Sequence, residues 1–414
     1  MTLKRIAGWS LVTIAVLLAI PLAALSFVLT VAAGAPIPVA MASGLIATMS
    51  CCAALTGLGA RLAVRRRRLL TLLVTGGVTT AVVITSALTI FRPLGYAPTP
   101  LPSQATRYWD LPTGSRIAYT FTPGMGRRSP TPVVRLHGGP GTPGAGPDEL
   151  DRELTARGFD VYTYDQLGSG RSQRLADPTG YTVARQLADL EAVRREINAA
   201  RLILVGSSWG ATLGAQYMAA HPANVAKVVF TSPGALWAPA WEKKGEGDIW
   251  DRLTPAQRER MDELEASPRL IAWSVLMGVS PRAAHSLVPD GEIDPLFDEL
   301  LSTVGSAATC DPGRPLHEAS SRAGFYANQL TSDDALKVPD PRPALRANRT
   351  PALILRGQCD YKRPEIAGDY RDALPGATLL QIPNAGHVIE AEQPALYRAA
   401  VIAFLTGRPL PRVA

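Results

Sequence analysis

Two kinds of apolar run divide the chain. The first has no polar relief: no charged side chain occurs between residues 6 and 60, and none between 69 and 91. A helix needs about 20 apolar residues to cross the hydrocarbon core of a bilayer. The first stretch is long enough for two crossings, broken at Gly34-Ala35-Pro36-Ile37-Pro38, and the second gives one more. The pattern predicts three transmembrane helices, at about 8–33, 38–60 and 69–91. Lys4-Arg5 followed by an apolar run also fits a cleaved signal peptide, but two further spans keep the protein anchored in either case.

The second kind of run is short and bounded by turn residues, as strands are. Strands are expected at 107–111 and 116–121, paired as a hairpin through Pro112-Thr113-Gly114. Others are expected at 132–136, 159–164, 202–205, 226–231, 352–355 and 377–382. Helical patterns lie between them at 148–158, 183–199, 211–220, 365–373 and 396–405. Strands alternating with helices predict an α/β fold with a mostly parallel sheet covered on both faces. The stretch 233–348 breaks this rhythm. It is rich in helix formers and charge and too long for a plain loop, so it reads as a mostly helical cap. Residues 94–106, with Pro98, Pro100 and Pro102, read as an extended linker. The expected organisation is a membrane segment at 1–93, the linker at 94–106, a first core part at 107–232, the cap at 233–348 and a second core part at 349–414.

Charge sharpens this picture. The chain carries a formal +7, yet residues 1–105 hold eight basic residues and no Asp or Glu. The remainder has 34 basic against 35 acidic residues and is nearly neutral, which argues against a nucleic-acid partner. The Lys and Arg bias places Lys4-Arg5 and 61–68 in the cytoplasm, and with three spans everything beyond about residue 92 is expected to be extracytoplasmic. Membrane lipid is the expected partner of the N-terminal helices. Cys51 and Cys52 fall inside the second span as packing residues. Cys310 and Cys359 either pair in an oxidising compartment or are two unrelated buried thiols.

The candidate chemistry starts at Leu202–Gly210. The apolar run 202–205 ends in Gly206-Ser207-Ser208-Trp209-Gly210, and a small-residue helix follows. Strand, G-x-S-x-G, helix is the context of a nucleophile elbow, in which Ser208 projects from a strained turn and side chains at Gly206 and Gly210 would collide with neighbours. A nucleophilic serine needs a base and the base an orienting acid, in the α/β-hydrolase order Ser, acid, His. His387 follows the last strand and Asp360 the one before it, both at strand carboxyl ends. Ser208, Asp360 and His387 are thus the expected triad. Two backbone N–H groups should form the oxyanion hole: that of Trp209, after the nucleophile, and that of Gly139, with Gly138 as second choice. The remaining histidines have plainer readings. His137 holds its own loop by hydrogen bonds, with direct substrate contact as the alternative, His221 is structural at the end of the elbow helix, and His285 and His317 are surface residues of the cap. No histidine clusters with other ligands at metal-site spacing, so neither metal nor other cofactor is expected.

Three motifs together carry a resemblance: His137-Gly-Gly-Pro-Gly141, Asp165-Gln166-x-Gly168-x-Gly170-x-Ser172 and Gly206-x-Ser208-Trp209-Gly210. With Ala188-Asp-Leu-Glu-Ala-Val-Arg194 ahead of the elbow strand, the chain resembles the proline iminopeptidase family of α/β-hydrolases over about 130–235 and, less closely, 350–405. The resemblance implies the same triad and release of an N-terminal residue, often proline, from peptides. Leu167 stands where the family usually has arginine, so an ion pair near the site is expected to be missing. The family also implies a cap carboxylate for the substrate's free amine, with Glu242, Glu246, Glu299 and Glu318 as candidates and no motif to choose among them. The expected function is a membrane-anchored, outward-facing serine aminopeptidase for small peptides. A carboxylesterase or lactonase with the same triad, and a non-catalytic binding protein, are the alternatives.

Overall fold

The computed structural model describes residues 3–97, 100, 105–144, 146–313 and 322–413. Part of the expected linker (98–99 and 101–104), His317 and Glu318 lie outside the described residues. The chain forms two compact units, Met1–Gly95 with Leu264–Glu292, and Tyr96–Glu263 with Ile293–Ala414.

The first unit begins with three helices, α1 (Leu3–Ala32), α2 (Ile37–Ala63) and α3 (Arg67–Leu88). All three are long and apolar enough to cross a membrane. Gly34, at φ 85°, and Pro36 make the turn between α1 and α2, as the Gly-Ala-Pro break suggested. These two helices pack backbone to backbone through small residues. Ala40, Gly44, Thr48, Cys52, Thr56 and Ala60 recur every fourth position on α2 and are buried. A β-carbon on Gly59 would strike the Gly8 carbonyl, and one on Gly44 would sit 2.9 Å from that of Ala23. Small residues on both helices are what let the two backbones approach this closely. The Cys52 thiol donates to the Ala15 carbonyl at 3.5 Å, and the Thr48 hydroxyl to that of Ala19 at 3.2 Å. Because α1 and α2 run antiparallel, Lys4 and Arg5 share one end of the bundle with Arg61 and Arg65–Arg68. Two cap helices complete this unit: α8 (Pro268–Val279) packs on α1, and α9 (Pro281–Leu287) packs on α2.

The second unit is built on one eight-stranded sheet in the order β1-β2-β4-β3-β5-β6-β7-β8. The strands are β1 (Arg107–Asp110), β2 (Arg116–Thr122), β3 (Val133–Leu136), β4 (Val161–Tyr164), β5 (Leu202–Ser207), β6 (Val225–Thr231), β7 (Ala352–Gly357) and β8 (Ala377–Ile382). β1 and β2 form the expected antiparallel hairpin, β2 is antiparallel to β4, and the rest pair in parallel. The helices are α4 (Glu149–Thr155), α5 (Val183–Glu196), α6 (Trp209–Ala220), α7 (Pro255–Glu265), α10 (Asp290–Val304), α11 (Phe325–Ala335), α12 (Arg342–Ala347), α13 (Pro364–Ala373), α14 (Ile389–Glu392) and α15 (Pro394–Thr406). Alternate strand residues serve the two faces. Val133, Ile203, Val205, Val229, Leu353 and Leu355 pack with Leu150 and Leu154 of α4 and Tyr397 and Val401 of α15. On the other face Leu136, Leu204 and Phe230 meet α6 at Gly214, and Phe230 meets Tyr370 of α13 edge-on. The mostly parallel sheet with helices on both faces is the α/β-hydrolase fold the pattern predicted.

Helix ends follow the local chemistry. The helix expected from 148 starts at Glu149, because Asp148 caps it and exchanges hydrogen bonds with Asp151 in a capping box. Thr182 caps α5 by accepting the Arg185 N–H.

Candidate active site

Ser208 sits between β5 and α6 at φ 51° and ψ −116°. Positive φ is strained for a residue with a β-carbon, and the surrounding structure must enforce it. The Ser208 N–H donates to Thr231 at 2.9 Å, and its carbonyl accepts from Ala211 at 3.0 Å. The turn closes only around glycine. A β-carbon at Gly206 would strike the Gly210 carbonyl, and one at Gly210 the carbonyls of Leu136 and His137. The Ser208 side chain is half-buried, and its hydroxyl makes no hydrogen bond among the described residues.

Asp360 follows β7 and His387 follows β8, on the same carboxyl edge of the sheet as Ser208. The structure bonds these two to each other: the His387 Nδ1–H donates to Asp360 Oδ1 at 2.9 Å. That bond leaves the lone pair on Nε2, the tautomer a general base requires. The same Asp360 oxygen accepts the Lys362 N–H at 3.0 Å. Burial pushes the Asp360 carboxyl up, but His387, the Lys362 amide and Arg356 outweigh it and hold the group below the usual carboxylate range. The Tyr361 ring leans on the imidazole at 4.7 Å between centroids.

A short segment after α10 holds both loops. The Ala308 carbonyl accepts the His387 N–H at 2.7 Å, and Gly386 leaves no room there for a β-carbon. Arg252 donates to the carbonyls of Thr309 at 2.6 Å and Cys359 at 2.7 Å. Cys310 is disulfide-bonded to Cys359, the residue before Asp360, so these two thiols are paired. Glu392 accepts the Cys310 N–H at 2.9 Å on one oxygen and the Gly386 N–H at 2.6 Å on the other. Sequence reasoning missed Arg252 and Glu392, which look like solvated helix charges. Its one usable signal was Cys359 beside Asp360.

The other side of Ser208 is formed by the His137–Gly141 loop. Gly138 approaches so closely that a β-carbon on it would lie 3.3 Å from that of Ser208. Gly139 has φ 107°. Neither its N–H nor that of Trp209, at the head of α6, has a hydrogen-bond partner among the described residues. His137 locks the loop. Its Nε2 accepts the Gln166 N–H at 2.8 Å, so the proton is on Nδ1, facing the Gly138 carbonyl at 2.9 Å. Burial lowers its pKa to about 4 and keeps it neutral. Gln166 also donates to the His137 carbonyl at 2.9 Å and accepts the Trp209 indole N–H at 2.9 Å. From the cap, Gly324 donates to the Gly141 carbonyl at 2.8 Å and Asn328 to that of Pro140 at 2.7 Å.

The remaining expected residues fall as follows. Leu167 is buried and carries no charge, while Arg174 from the same loop pairs with Asp294 of the cap at 2.9 Å. Glu242 is exposed, and Glu299 pairs with Arg260 at the surface at 3.1 Å. Glu246 accepts from Lys362 at 2.7 Å, two residues from Asp360. His221 caps α6 with its ring against Tyr217. His285 departs from its reading as a surface residue: it is half-buried and bonds Asp290 at 2.7 Å, because α9 packs that side of the helix inward.

Residues 131–394 match the family model of the alpha/beta hydrolase fold, a stretch that does not include α1–α3. The proline iminopeptidase of Heyndrickxia coagulans is 37% identical over 295 residues, covering 71% of this chain and 96% of that protein. The proline iminopeptidase of Levilactobacillus brevis is 28% identical over 286 residues, covering 68% and 90%. Among solved structures, that of the Mycobacterium smegmatis proline iminopeptidase aligns at 22% identity with a TM-score of 0.45, covering 73% of this chain and 98% of that one. The chain is a hydrolase and belongs to the proline iminopeptidase family of α/β-hydrolases.

Proposed function

We propose that the protein is a membrane-tethered serine aminopeptidase that removes N-terminal residues, proline among them, from small peptides on the extracytoplasmic side. The observation that carries this reading is the Asp360–His387 hydrogen bond on the sheet edge that also holds Ser208 in its strained turn. His387 Nε2 takes the Ser208 proton as the hydroxyl attacks the scissile carbonyl, then returns it to the leaving amine. Asp360 fixes the tautomer and stabilises the imidazolium. The N–H groups of Trp209 and Gly139, without a hydrogen-bond partner among the described residues, receive the oxyanion, at the positive end of α6. Water then releases the acyl group by the same route in reverse.

Exposure supports the tether. In the most apolar windows of α1, α2 and α3 only 17%, 28% and 0% of residues are buried, a surface water would not tolerate. The basic cluster at one end of the bundle supports a cytoplasmic placement of that end. The Cys310–Cys359 disulfide supports an oxidising compartment for the hydrolase.

The test uses the full-length protein in detergent with prolyl and alanyl arylamides beside short acyl nitrophenyl esters. Arylamide turnover that is lost in Ser208→Ala and blocked by acylating the substrate amine is the expected result. Ester turnover without arylamide turnover would replace the peptidase reading with an esterase or lactonase. Failure of Ser208 to react with a fluorophosphonate would remove the serine mechanism.

A further inference from the structure

Helix α8 is built the wrong way round for water. The helix before it in the chain, α7, exposes Arg258, Glu259, Asp262 and Glu263, as a water-facing helix does. The outward face of α8 carries Ile271, Val275 and Val279, exposed by 62%, 49% and 39%, with Ser274 and Gly278 between them. The spacing i, i+3, i+4, i+7, i+8 makes these one continuous stripe without a charge. The helix has a single charged residue, Arg269, which is 5% exposed and turned away.

The position of α8 within its unit explains the inversion. It packs on α1, and its following helix α9 packs on α2. Arg269 donates to the Ile90 carbonyl at 2.7 Å and to both oxygens of Glu292 at 2.6 and 2.8 Å. Glu292 in turn accepts the Leu94 N–H at 2.7 Å. Ile90 and Leu94 lie just beyond the end of α3, at the opposite pole of the bundle from Arg61–Arg68. Near that pole Leu25, Leu29 and Val39 are also exposed.

We propose that α8 is seated in the outer boundary of the bilayer, with Ile271, Val275 and Val279 against lipid, so that Leu264–Glu292 is part of the membrane anchor. The proposal rests on the reading of α1–α3 as transmembrane helices. Twelve residues are too few to span the hydrocarbon, which makes α8 an interfacial helix. Lipid fits the stripe because it adjoins helices that carry no charge away from their basic end and itself offers no charge by which a protein partner would be selected. Since this segment lies inside the cap sequence, the cap is tied to the membrane at its middle as well as through the N-terminal chain.

The experiment places single spin labels by Ile271→Cys, Val275→Cys and Val279→Cys in full-length protein carrying Cys51→Ser and Cys52→Ser. The protein is reconstituted in nanodiscs of phosphatidylcholine and phosphatidylglycerol. Leu72→Cys on α3 and Glu365→Cys on α13 are the lipid and water references. The α8 labels should collide more with dissolved oxygen than with a water-soluble nickel chelate, as the Leu72 label does, with the order reversed at Glu365. Chelate-dominated collisions at α8, with Leu72 still in lipid, would overturn the proposal while leaving the three spans standing. Shielding of the α8 labels from both reagents would overturn it in favour of a protein covering the stripe. Water access at Leu72 itself would remove the transmembrane reading, and the proposal with it.

Discussion

His387 donates its backbone N–H to the carbonyl of Ala308 at 2.7 Å, so the residue that carries the imidazole hangs on a segment between α10 and α11. The next residues of that segment hold the Asp360 loop through the disulfide and Arg252. Asp360 and His387 are therefore set relative to each other twice, once by their own hydrogen bond and once by this strap.

Removing the covalent half of the strap should loosen the Asp360 loop. A Cys310→Ser/Cys359→Ser variant is expected to unfold more easily, by on the order of 4 kcal/mol for a bridge closing 49 residues of chain. It should lose kcat more than it raises KM. Denaturant titration and steady-state kinetics with and without reductant check both points.

Glu392 uses one oxygen for each of two amides, so its substitutions should be graded. Glu392→Gln keeps one acceptor and Glu392→Ala keeps neither. Each lost bond to a carboxylate is worth about 1.5–3 kcal/mol, or roughly a 10- to 150-fold range in kcat if it is felt entirely at His387. The fluorophosphonate labelling rate of Ser208 should fall in the same order, wild type above Gln above Ala.

Asp360→Asn keeps the shape of the loop but offers the imidazole either a donor or an acceptor. The His387 tautomer is then no longer enforced, and kcat should fall by about 10,000-fold, as expected for the acid of a Ser-His-Asp triad. Thermal unfolding should report a folded protein.

Glu390, three residues beyond His387, joins Asp148 and Asp151 around Arg135. Burial pushes its pKa to about 7; Arg135 opposes this, and the two aspartates add to it. The folded protein thus keeps a proton that the unfolded chain releases near pH 4.5. This contribution to stability is fully present below pH 4.5 and is lost as pH rises to about 7. Glu390→Gln should remove that dependence and be the more stable protein at pH 8, with little difference at pH 4. Urea midpoints across this range measure it.

The sheet, the strained turn at Ser208 and the strand-end positions of Asp360 and His387 were legible in sequence because each depends on neighbours along the chain. Leu202–Val205 reads as a buried strand, and the glycines around Ser208 mark a turn that only glycine can close. His387 and Asp360 could be singled out because each directly follows a strand. The strap could not. Arg252, Ala308 and Glu392 act through backbone carbonyls and amides, which every residue has, and only the fold brings them together. Helix α8 was hidden for another reason. Its apolar stripe is the period of an ordinary buried helix, and sequence periodicity does not tell a face that meets protein from one that does not.

The helix α12 leads straight into β7 and packs on α6 and α13, as the crossover of a plain βαβ unit would. The long insert is thus an excursion from a connection that is complete without it. Such a protein is extensible at one point: the stretch between β6 and α12 can be lengthened or exchanged without altering strand order or handedness. Any exchange must keep the points at which insert and core are stitched together, Ala308–Cys310 and Arg252 on the Asp360 and His387 loops, and Gly324 and Asn328 on the His137–Gly141 loop.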